Sequence, residues 1–246
     1  MNAVINRKTT FIDLGFIDYQ QAWDYQTLLF NETLKIKAAN RDLPEEEQKL
    51  TNNYLIFCEH PHVFTLGKSG DENNLLVKKE NLGSIGASYY HINRGGDITY
   101  HGPGQIVVYP VIDMENFFTD IHKYMRLLEE SVIQTLEKFN VKAGRVQGLT
   151  GVWLGSEEER NQRKISALGV KTSRWVTMHG LAFNVNAQLS YFENIVACGI
   201  TDKAVTSLEK ELGVIQNMDE VKNVLKEKLV ELFGMELILE KKENVR

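Results

Sequence analysis

At 246 residues, with 43% hydrophobic, 25% charged and 9% aromatic content, the chain has the balance of an ordinary folded protein, which excludes disordered, collagenous and disulfide-scaffold classes. Its 28 basic and 33 acidic residues leave a formal charge of −5, which argues against a broad nucleic-acid-binding face because a polyanion demands a basic excess. Two cysteines, Cys58 and Cys198, stand far apart without neighbours at zinc-ligand spacing, so free thiols and a reducing compartment are expected. No stretch has the length and apolarity of a signal peptide or a membrane span, so a cytoplasmic location without a membrane partner is expected. The length also suits one domain over residues 1–246, since mixed folds of this size share one core.

In chain order, Thr9 to Gly15 reads as a strand, and Asp18 with Gln21 then makes a capping-box signature. The helix that follows carries Ala22, Trp23, Leu29 and Phe30 as apolar positions and should end near Asn40. Residues 41–53 are polar with one proline and read as a solvated connection. From Tyr54 the texture changes to short strand-like runs at 54–60, 62–67, 88–93, 105–113, 151–155, 164–170 and 175–186, mostly separated by Gly, Asn, Asp or Pro. Two amphipathic helices are expected, one from Met125 to Asn140 and one after Asn217, which Asn217 and Glu220 cap. MELILE at 235–240 closes the series as a strand. The expected class is α/β or α+β, a mixed β-sheet flanked by helices.

Three segments concentrate unusual chemistry. RGGDITYHGPGQ at 94–105 packs four glycines, a proline, an arginine and a histidine between two strand-like runs. Such glycines let backbone approach a ligand closely, while Arg94 offers a rigid cationic fork. RKISALGV at 163–170 is a strand with Lys164, Ser166 and Leu168 on one face and Ile165, Ala167 and Gly169 on the other, whose small residues leave room for a ligand. YFENIVACGITD at 191–202 sets Cys198 among turn formers, where a nearby cation would turn the thiol into a nucleophile. His62, His101 and His179 could line the same pocket. No GxGxxG occurs, and Gly67-Lys68-Ser69 lacks the upstream glycine of a phosphate-binding loop, so ATP is not indicated. No histidine or cysteine spacing suits zinc, and no metal is expected.

Taken in order, HPHVFTLGKSG at 60–70, RGGDITYHGPGQ at 94–105, TGVWLG at 150–155, KISALGV at 164–170, HGLAFNVN at 179–186 and ACGITD at 197–202 resemble the octanoyltransferase family of lipoate biosynthesis. That family belongs to the biotin/lipoate protein ligase fold group. The resemblance implies that Cys198 carries the acyl group as a thioester and that Lys164 lowers its pKa. It implies substrate contacts at Arg94, Gly95, Gly96, Asp97, Ile98, Thr99, Tyr100 and His101, at Ala167, Leu168 and Gly169, and at Gly180, Leu181 and Ala182. It implies no cofactor, octanoyl-acyl carrier protein as donor, and acceptor lysines on lipoyl domains of 2-oxoacid dehydrogenase complexes and on the glycine cleavage H protein. Lys171 and Arg174 are candidates for docking the acidic carrier. Two departures stand out: Ala197 replaces the family's usual proline, and the polar stretch at 41–53 is longer than the pattern. The alternatives are an ATP-dependent lipoate or biotin protein ligase, which needs no cysteine, and a silent acyl-binding module.

Overall fold

The computed structural model describes residues 5–156, 161–196 and 204–239. The chain opens with β1 (Lys8–Phe16) and α1 (Tyr19–Asn40). The Asp18 carboxylate starts α1 by accepting from the Gln20 and Gln21 amides, which would otherwise lack partners in the first turn. Strands β2 (Asn53–Glu59), β3 (Val63–Leu66), β4 (Ser88–His91), β5 (Ile98–His101) and β6 (Gln105–Val111) follow. Next come α2 (Ile121–Lys138), β7 (Gly144–Val146), β8 (Leu149–Leu154), β9 (Arg163–Ser173) and β10 (Val176–Asn184). Then β11 (Ala204–Val205), α3 (Leu208–Leu212), α4 (Met218–Phe233) and β12 (Glu236–Leu239) complete the described chain. Helix α2 begins before the expected Met125 because Asp120 caps it, accepting from the Lys123 amide at 3.0 Å. Among the described residues, no helix is long and apolar enough to cross a membrane.

The larger sheet runs β12-β1-β2-β6-β10-β9-β8-β7, with β11 added beside β9. β12, β1 and β2 pair in parallel, and the β2/β6, β6/β10, β10/β9, β9/β8 and β8/β7 pairs are antiparallel. The period of two along β2 and β6 divides the core. Leu55, Phe57, Ile106 and Val108 point toward α2 and α4, while Ile56, Cys58, Val107 and Tyr109 point toward α1. Burial on both faces explains why these strands read as continuous apolar runs. Strands β4-β3-β5 form a second, smaller sheet.

Gly180 of β10 shows how tightly the strands meet. A Cβ there would stand 2.1 Å from the Val108 carbonyl oxygen and 2.8 Å from Pro110 Cδ, both on β6. Backbone cannot yield as a flexible side-chain tip can, so overpacking acts at full strength. Gly180→Ala is expected to cost about 3 kcal/mol in urea unfolding. A loss below about 1 kcal/mol would show that β6 and β10 can separate without penalty.

Candidate active site

The loop from Asn93 to Asp97 enters between the two sheets and is sewn to both. The Lys68 amide donates to the Arg94 carbonyl at 2.9 Å, and the Gly95 amide donates to the Val170 carbonyl at 2.8 Å. Arg94 is buried, and its guanidinium donates to the Thr65 carbonyl and hydroxyl at 2.7 and 3.0 Å and to the Gly95 carbonyl at 3.0 Å. The arginine thus ties the loop to β3 as well as reaching the site. Gly169 on β9 belongs to the same seam, because a Cβ there would lie 2.8 Å from the Gly95 carbonyl oxygen and 2.9 Å from Arg94 Cδ. Its missing side chain makes room for the loop, where the sequence suggested room for a ligand.

Between loop and sheet lies a cavity of about 580 Å³. Arg94, Gly95, Gly96, Asp97, Ile98, Thr99 and His101 line it from the loop and β5. Lys164, Ala167, Leu168 and Gly169 line it from β9, and Gly180, Leu181 and Ala182 from β10. Tyr100 does not line it. Strand alternation turns its ring away from Thr99 and His101 into a core cluster with Phe64, Leu66 and Ile98, where its hydroxyl meets His62 Nδ1 at 2.7 Å. His62 itself stacks on Tyr191, with ring centroids 3.9 Å apart, and lies outside the cavity wall.

Part of the wall is polar without being charged. His101 Nδ1 lies 2.9 Å from Gln105 Oε1, and Gln105 Nε2 donates to the Tyr100 carbonyl and to Asn184 Oδ1. With its amide nitrogen committed to two acceptors, Gln105 can only accept from His101, which leaves His101 Nε2 as an acceptor. Behind the wall, His60 Nδ1 lies 2.8 Å from the Ile17 carbonyl and Nε2 lies 2.8 Å from the Tyr109 hydroxyl. A carbonyl only accepts, so Nδ1 carries the proton and Nε2 receives the Tyr109 hydrogen. Burial lowers His60 to about 4, and burial with repulsion from His60, Arg94 and His179 lowers His101 to about 3. Burial and Arg94 likewise lower His179 to about 3, while burial pushes the Tyr19 and Tyr109 phenols up. At neutral pH this wall offers hydrogen bonds from uncharged groups.

Lys164 stands where β8 and β9 meet. Its cross-strand partner is Trp153, and its Nζ lies 4.6 Å from the centroid of that ring. On its other side β11 pairs in parallel, with Val205 opposite Lys164 and the Thr206 amide donating to the Lys164 carbonyl at 2.9 Å. Arg163 pairs with Glu211 of α3, which secures this return of the chain. Cys198 lies outside the described residues. The backbone before it is described up to Val196, whose amide donates to the Asn74 carbonyl at 2.8 Å. Cys58 is fully buried, its thiol 3.4 Å from His60 Nε2.

Several lining residues carried no sequence signal as site residues, including Tyr19 at the start of α1, Met125 on α2 and Leu149 on β8. Gln105 and Asn184 were within reach, since both sit inside motifs already singled out and both are polar residues at strand ends.

The chain is thus a mixed sheet covered by a smaller sheet, with a largely apolar cavity between them. The fold is similar to the solved bipartite lipoate protein ligase of Thermoplasma acidophilum, with a TM-score of 0.69 at 16% identity, covering 96% of this chain and 88% of that one. Residues 18–230 match the model of the lipoyl protein ligase A/B catalytic domain. The octanoyltransferase of Cytophaga hutchinsonii is 59% identical, over 96% of this chain and 97% of its own length. That of Flavobacterium psychrophilum is 57% identical, over 95% and 100%. The chain belongs to the octanoyltransferase family within the lipoyl protein ligase A/B catalytic domain, and its enzymatic class is acyltransferase.

Proposed function

We propose that this chain transfers an octanoyl group from octanoyl-acyl carrier protein to a lysine of lipoyl domains, in 2-oxoacid dehydrogenase complexes and the H protein, through an octanoyl-Cys198 thioester. A cytoplasmic location is part of the proposal. The Cys198 thiolate attacks the donor carbonyl, the bond from carbon to the pantetheine sulfur breaks, and that sulfur leaves as a thiol once protonated. The acceptor amine then attacks octanoyl-Cys198, gives up a proton, and forms the amide as the carbon–sulfur bond to Cys198 breaks. Lys164 holds the thiolate as its ammonium and passes protons between the leaving sulfur and the entering amine. The amide is more stable than the thioester, so the sequence of steps needs no nucleotide.

One observation carries this reading: Lys164 sits in the wall of a largely apolar cavity, and the chain returning from the Cys198 segment pairs with the backbone of Lys164 itself. Leu149, Leu168, Leu181 and Val205 offer apolar surface to the acyl tail. Burying its methylenes at about 0.8 kcal/mol each gives roughly 5 kcal/mol, enough to select for chain length. The experiment is mass spectrometry after incubation with octanoyl-acyl carrier protein. One octanoyl mass is expected on the peptide that contains Cys198, and Cys198→Ala should lose both the adduct and transfer to a lipoyl domain. Transfer that survives Cys198→Ala, or proceeds only from free octanoate with ATP, would instead identify a ligase.

A further inference from the structure

We infer that Asp97 and Asn74 are positioning residues that set the direction and register of the chain as it runs toward Cys198. The inference rests on the Cys198 reading above for its catalytic consequence, but its geometry is independent of that reading. Asp97 ends the RGGD loop, and its carboxylate takes three hydrogen bonds. Oδ1 accepts from the Ile98 amide at 2.7 Å and the Asp71 amide at 3.3 Å, and Oδ2 accepts from Asn74 Nδ2 at 2.6 Å. An anionic acceptor makes such bonds short and directional.

Asn74 passes this constraint on through its backbone. Its carbonyl accepts from the Val196 amide at 2.8 Å, and the Leu76 amide donates to the Asn194 carbonyl at 2.9 Å. The two bonds flank an antiparallel bridge between Leu75 and Ile195. Residues 194–196 are therefore laid as a short strand against 74–76, two residues before Cys198. Ile195 is buried against Phe64, Leu66, Ile98 and Tyr100, and that contact fixes depth without fixing direction. Direction comes from the bridge, and Asp97 holds the bridge to the cavity wall through Asn74. The cavity wall and residues 194–196 are in this way parts of one hydrogen-bonded unit.

The test reverses the bond. Asn74→Asp sets a carboxylate against a carboxylate, and adding Asp97→Asn to it restores a donor and an acceptor in exchanged places; Asp97→Asn alone keeps a neutral bond, because the Asn74 carboxamide can turn its Oδ1 toward the new amide. Two rates are measured: alkylation of Cys198 by iodoacetamide, read on its tryptic peptide, and steady-state octanoyl transfer. Asn74→Asp is expected to alter the alkylation rate several-fold and to lower kcat on the order of tenfold or more with KM for the donor little changed, as for a displaced reacting group, and Asp97→Asn alone should change both rates less. The double variant should return both rates to within about threefold of wild type. Asn74→Ala, which removes the link without adding charge, gives the same readout should Asn74→Asp fold poorly. Asn74→Asp with wild-type rates, or a double variant no better than Asn74→Asp, would overturn the inference. Alkylation requires no turnover, so loss of the thioester reading through an active Cys198→Ala enzyme would leave this result standing by itself.

Discussion

Replacing Lys164 with methionine is expected to slow octanoyl transfer by about 10²- to 10⁴-fold, the range over which a positioned proton donor and acceptor acts. Methionine keeps most of the stem that packs beside β8, so the loss reports the ammonium. The side chain is held by an unusual neighbour. Trp153 is buried, is paired with Lys164 across the β8/β9 ladder, and presents its ring 4.6 Å from Nζ. A cation over an indole face is worth about 0.5–2 kcal/mol depending on desolvation, so Trp153→Leu should lower the rate by roughly 2- to 30-fold without removing the amine. Trp153→Phe should recover part of that loss. The proposed role of Lys164 also fixes the pH signature. If the ammonium stabilises the Cys198 thiolate, Lys164→Met moves the pH profile of Cys198 alkylation upward toward the ordinary thiol value of about 8.5. A methionine variant within about threefold of wild type, with an unchanged alkylation profile, would remove Lys164 from the mechanism.

Acidification is expected to destabilise the protein before its ion-paired carboxylates begin to titrate. His60, His101 and His179 are buried, and their folded values lie near 4, 3 and 3 against an ordinary 6.5. A depressed value means that the folded state holds the neutral imidazole while the unfolded chain binds a proton. Their stabilising contribution is therefore complete above about pH 6.5 and is lost as pH falls toward 4 and 3. Within that window each histidine removes up to about 1.4 kcal/mol per pH unit, or about 4 kcal/mol per unit for the three together. A domain stable by about 5–10 kcal/mol should then unfold between about pH 5 and pH 4. The Glu211 carboxylate, held below its ordinary 4.5 by the Arg163 hydrogen bond, begins to lose its contribution only below about pH 4.5, so the slope measured above that pH belongs to the histidines. Urea unfolding from pH 7.5 down to pH 4.5 measures the slope, and His101→Gln should flatten it. Equal stability at pH 7 and pH 5 would mean that these imidazoles are protonated in the folded protein.

Helix α1 was legible because its cap and its apolar positions are chain neighbours, and Asp18 caps it as expected. β5 was not: Ile98 to His101 lies inside a segment whose glycines read as one long turn, and it becomes a strand by pairing with β3, from Val63 opposite His101 to Leu66 opposite Ile98. Gly169 and Gly180 were singled out as substrate contacts, and the structure gives both a packing role. Both sit where backbone meets backbone, against Gly95 and Val108, and no local pattern encodes which strand will lie across from a glycine.

Contiguous chemistry was carried by the amino-acid order alone. RGGDITYHGPGQ, KISALGV and HGLAFNVN each hold several site residues within one strand or turn, and their succession along the chain was enough to point to the family. The tertiary structure decided which residues meet: Trp153 with Lys164 through the register of β8 on β9, Val205 beside Lys164 through β11, Tyr19 in the cavity wall with His101, and Asn74 with Asp97. Hydrophobic periodicity and capping act over a few residues, whereas strand register and the seating of one sheet on another depend on the whole chain at once.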